Sequence, residues 1–107
     1  MHKLVAMFKH PEDPKAFDEA YFGTHLPLNA KTPGLRRTEV TRVTGAPRGS
    51  TEWYLVTEMY YDDDAAMRAA FASPEAAAAA ANLMSFAKGL VSMYIAEVVE
   101  VSEGPAA

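Results

Sequence analysis

The chain has 107 residues, half of them hydrophobic, and 10 basic side chains against 14 acidic ones leave a net charge of −4. That length suits a single domain. With no basic run beyond Arg36-Arg37, neither a nucleic-acid footprint nor attraction to an anionic membrane is expected. The absence of cysteine excludes disulfide frameworks, thiolate nucleophiles and Cys-rich metal sites, and fits a reducing, cytoplasmic setting.

Lys3–Lys9 reads as a strand that is apolar on both parities, with Leu4, Ala6 and Phe8 on one side and Val5 and Met7 on the other. Such a strand needs cover on both faces. The segment is too short for a signal peptide or a membrane span. Asp13 caps and Pro14 opens a helix, along whose face fall Phe17, Ala20, Tyr21, Thr24 and Leu28. Pro27 is expected to end it near residue 25, with a short extra turn to Lys31. Leu35–Thr44 reads as a strand, and 45–50 as a hairpin-length loop. Trp53–Tyr61 is a second strand apolar on both parities, Glu58 excepted. Asp62-Asp63-Asp64 opens a helix over Ala65–Phe71. Ser73-Pro74-Glu75 caps a further helical piece that runs through the alanines of 76–81 and stops at Gly89. Val91–Val101 is the last strand.

The order is β-α-β-β-α-β, an α+β, ferredoxin-like antiparallel sheet with helices on one face. One domain is expected over 1–102, with a tail at 103–107. The other sheet face keeps large side chains, which predicts a homodimer paired sheet against sheet.

Tyr21-Phe22-Gly23-Thr24-His25-Leu26-Pro27-Leu28 resembles the EthD family, named for ethyl tert-butyl ether degradation, of the dimeric α+β barrel superfamily. Lys3–Lys9 with His10-Pro11, Pro33-Gly34-Leu35-Arg36 and Phe71-Ala72-Ser73-Pro74-Glu75 add to the resemblance. It implies a dimeric α+β barrel and a small oxidoreductase that acts without a tightly bound cofactor on a small apolar, oxygenated compound. Such proteins often carry an aspartate where Asn82 stands, ahead of an aromatic residue such as Phe86. The superfamily also holds cofactor-free monooxygenases, cyclases, isomerases and haem-degrading enzymes, so the reaction stays open.

His25 is the candidate catalytic residue, since a histidine can move a proton or polarise a carbonyl near neutral pH. The alternative is that it bonds a free carbonyl at the helix end. Asn82 can hold a substrate oxygen or orient His25, or close its helix. Tyr21, Phe22, Trp53 and Phe86 are the candidate walls of an apolar pocket between helices and sheet, from a wider aromatic set with Tyr54 and Tyr60 that serves equally as core. Glu58 is expected to pair with an arginine such as Arg42, or across a dimer. The three histidines lack metal-ligand spacing, and no phosphate loop, nucleophile elbow or dinucleotide fingerprint is present. Two other readings are a non-catalytic binding or accessory protein for an apolar metabolite, and haem handling with His25 as axial ligand. No basic clamp for haem propionates is evident.

Overall fold

The two strands that are apolar on both parities form the centre of the sheet. In the computed structural model, which describes residues 1–106, β1 (His2–Lys9) pairs antiparallel with β3 (Trp53–Tyr61) on one side and β4 (Val91–Glu97) on the other. β2 (Arg37–Arg42) lies beyond β3, so the order is β2-β3-β1-β4. The helices are α1 (Pro14–Ala20), α2 (Leu26–Asn29), α3 (Asp64–Phe71) and α4 (Pro74–Ala87). This is the expected α+β, ferredoxin-like architecture. β2 and β4 are shorter than expected. Beyond Glu97 the described residues make one further ladder bond, from Val98 N to Met1 O at 2.9 Å, and no strand. Residues 103–106 of the expected tail are irregular, and Ala107 lies outside the described residues.

Register sorts the side chains. Leu4, Ala6 and Phe8 stand opposite Met59, Thr57 and Leu55, all on the helix side. Phe8, Phe17 and Tyr21 pack ring against ring with centroids 5.3–5.8 Å apart, and Leu55, Leu83 and Ala87 complete that core. A second cluster of Met59, Tyr61, Met67 and Ala70 lies under α3. The β1–β3 register slips between Phe8 and Lys9, so that Lys9 faces Trp53. The extra residue, Tyr54, turns toward α1, packs edge-on against Phe17 and donates its hydroxyl to Asp18 at 2.8 Å.

The open face is more mixed than alternation implied. Val5, Met7 and Val56 are half-buried there, but Lys3 and Glu58 cross its centre as an ion pair at 2.5 Å. Tyr60 lies beside both Lys3 and Arg37. The partner of Glu58 is therefore Lys3 and not Arg42. Lys3 is opposite Tyr60, hence a diagonal neighbour of Glu58 on the same face. Arg42 stands opposite Leu55 on the helix side and reaches Asp18 at 3.2 Å.

Each of α1, α3 and α4 starts at a side-chain cap: Asp13, Asp63 and Ser73 accept from the backbone N–H three residues on. Ser73→Ala is expected to lower unfolding free energy by about 1 kcal/mol in denaturant titrations, since it frees the Ala76 N–H.

Candidate functional site

Pro27 does not end the first helix. The chain stays helical from Pro14 to Asn29, but the turn Tyr21–His25 is π-helical, with Leu26 N–H donating to Tyr21 O five residues back. A proline inside a helix lacks a donor and crowds the carbonyl four residues before it, and a widened turn relieves both. The widening also realigns the side chains. Over the eight residues from Tyr21 to Asn29 a plain α-helix drifts by about 80°, and one extra residue in the turn takes most of this back. Tyr21, His25 and Asn29 consequently all point into the protein, and all are buried.

Facing them across the layer is α4. Ala76, Ala79, Ala80 and Leu83 follow helical spacing along one of its faces. Alanine methyls do not reach the sheet, and the space they leave is a cavity of about 410 Å³, within the range of small-molecule sites. Its floor is the helix side of the sheet, with Leu4, Ala6, Thr57, Met59 and Tyr61. Phe71, Met84 and Met93 both line the cavity and are exposed, which sets the mouth between α4 and the uncovered flank of β4.

Few polar groups reach this space. The Tyr21 hydroxyl bonds Thr57 Oγ1, and burial pushes its phenol up to about 12, so it stays protonated. Thr32 is buried at the wall. His25 is held between two amides. Asn82 Oδ1 can only accept, so His25 Nδ1 carries the proton and donates to it at 3.2 Å. Nε2 then presents its lone pair, which accepts from Asn29 Nδ2 at 3.1 Å. Burial lowers the pKa of the imidazole below its ordinary value, opposed by the Asn82 bond. The ring is therefore neutral near pH 7, a base in waiting whose lone pair is covered by one amide. A ligand hydroxyl that displaced the Asn29 amide would meet that lone pair, while Asn82 Oδ1 would steady the imidazolium formed.

The structure brings four of the residues singled out in the sequence together. His25 and Tyr21 line the cavity. Asn82, in mid-helix and not at the helix end, orients His25 from behind. Phe86 stands edge-on to the imidazole at 6.0 Å. Phe22 points outward, between the Tyr21 ring edge and Arg42. Trp53 shares the open face with Lys9. Neither lines the cavity. Asn29, Thr32, Thr57 and Tyr61 were not singled out. Asn29 had a signal, four residues past His25 as Tyr21 is four before it. Among the described residues, no cluster of His, Asp and Glu could hold a metal ion.

The fold sets a cavity beneath the helices of a ferredoxin-like sheet. The chain belongs to the EthD family, since residues 9–89 match the EthD domain. The structure of an ethyl tert-butyl ether (EthD) family protein from Bacillus halodurans is 45% identical in sequence, covers 92% of this chain and 99% of its own, and superimposes with a TM-score of 0.89. More distant structures share the fold. SnoaB of Streptomyces nogalater, a cofactor-independent oxygenase, is 19% identical over 94% of each chain, with a TM-score of 0.68. A dimeric ferredoxin-like protein of unknown function from Thermobifida fusca is 16% identical over 91% of this chain and 90% of its own, with a TM-score of 0.67.

Because His25 is harder to protonate folded than unfolded, the unfolded chain takes up the proton first as pH falls. The contribution of His25 to stability is level above its ordinary pKa of 6.5, declines as pH drops from 6.5 toward the lowered value, and levels again below it. Melting temperatures of wild type and His25→Gln between pH 8 and 5 are expected to show this extra decline in the wild type only, beginning below about pH 6.5.

Proposed function

We propose that this protein is a small oxidoreductase of EthD type that binds an apolar, oxygenated compound beneath α4 and deprotonates it through His25, without a tightly bound cofactor. The observation that carries this reading is a neutral imidazole, oriented by Asn82, on the wall of a mainly apolar cavity. Removing a proton from a phenol or enol raises the electron density of the substrate and prepares it to give electrons to dioxygen, the oxidant such a step takes from solution. Family membership and the fold shared with a cofactor-independent oxygenase support it. Among the described residues no Lys or Arg lines the cavity, so the propionates of a haem would find no partner there.

A non-catalytic binding role is the second reading, favoured by the fact that both imidazole nitrogens already have partners. Thermal-shift screening with phenolic and enolic compounds, followed by turnover assays in air, separates the two. Ala79→Leu is expected to fill the cavity and abolish the ligand-induced shift. His25→Gln is expected to keep the shift and lose 10²- to 10⁴-fold in turnover. Wild-type turnover by His25→Gln would sink the catalytic role of His25, and shifts with no turnover by the wild type would favour the binding role.

We also propose that the open sheet face pairs with a second copy of the chain. Val5, Met7 and Val56 supply an apolar patch beside the Lys3–Glu58 pair, and the Thermobifida structure is described as dimeric. Light scattering is expected to give twice the chain mass at micromolar concentration, and Val56→Lys to shift it toward one.

A further inference from the structure

Away from His25, two polar atoms on neighbouring strands are buried without a hydrogen-bond partner. Tyr61 lines the cavity and is completely buried, yet its hydroxyl bonds nothing. His2 Nδ1, on the residue paired with Tyr61 across β1 and β3 and therefore on the same sheet face, is also alone. Buried polar groups are nearly always bonded, and of the two only Tyr61 belongs to the cavity wall, so its hydroxyl asks for a partner there. Tyr61 stands four residues along β3 from Thr57, about 13 Å by strand geometry. Thr57 marks the other end, through its bond to Tyr21 beside His25. On the floor between them Met59 and Leu4 offer no polar group.

We propose that the Tyr61 hydroxyl is a second anchor of the cavity, and that the ligand is an elongated apolar molecule with an oxygen at each end. This rests on the small-molecule reading above. The end at His25 carries a hydroxyl, whose proton meets Nε2. The end at Tyr61 carries any accepting oxygen, because burial holds that phenol in its protonated, donating form. A compound with one oxygen satisfies only one end and forgoes the hydrogen bond that a second oxygen would gain at Tyr61.

The test compares 4-hydroxybiphenyl, 4-hydroxy-4′-methylbiphenyl and 4,4′-dihydroxybiphenyl by titration calorimetry. The wild type is expected to bind the dihydroxy compound about fivefold more tightly than the other two, the scale of one net hydrogen bond. In Tyr61→Phe that preference is expected to vanish, and the ligand-free melting temperature is expected not to fall. A preference that survives in Tyr61→Phe overturns the anchor while leaving the cavity reading intact. Equal affinity of the wild type for the methyl and hydroxyl analogues does the same, and needs no variant to fold. If the wild type binds none of the three, the small-molecule reading falls and the anchor with it.

Discussion

The widened turn Tyr21–His25 determines where Tyr21, His25 and Asn29 stand, because all three are counted from it along the same helix. Tyr21 must reach Thr57 on the sheet, His25 must meet Asn82 on α4, and Asn29 must come back to His25. A regular helix would rotate Tyr21 out of the line that His25 and Asn29 share. The π turn holds all of them in one line and also accommodates Pro27, so a residue that usually breaks a helix is here part of the device that registers it.

The second element of the site is an absence of bulk. α4 is anchored by its Ser73 cap and by Leu83 and Ala87 in the core, but between those points it offers methyl groups. Packing fails locally, in a protein whose other layers interdigitate, and dispersion contacts are given up along that stretch. Asn82 lies beside this stretch and crosses from α4 to the first helix through His25. The hydrogen bond that fixes the imidazole tautomer is therefore also a tie between the two helices that roof the cavity.

The element order was legible in the sequence because its signals are local: capping Asp13, Asp63 and Ser73, prolines at helix starts, Gly89 with its positive φ of 82° at the end of α4, and period-two alternation in the strands. The neighbourhood of His25 was legible in part. Tyr21 and Phe86 lie at helical spacing from His25 and Asn82 and met them in the fold. Phe22 did not, because successive helix residues point in different directions. Trp53 did not, because one extra residue in β3 moved it off the alternation. Asn29 was hidden by taking Pro27 as a stop. Thr57 and Tyr61 could be assigned a face by parity, but parity does not say which part of a face lies under alanines and which under Leu83. Glu58 was matched to a cation of the wrong face, since register between strands is a long-range property.

The position of the mouth carries one more consequence. Phe71, Met84 and Met93 open the cavity sideways on the helix side, and the sheet stands between it and the proposed contact surface. Two copies joined through their open faces would hold two compartments back to back, each with its own door to solvent and a double wall of strands between. Exchange at one would not require the pair to separate. Occupancy of one would move no side chain of the other unless strain passed through both sheets. Such a particle would saturate hyperbolically, as two equal and independent sites.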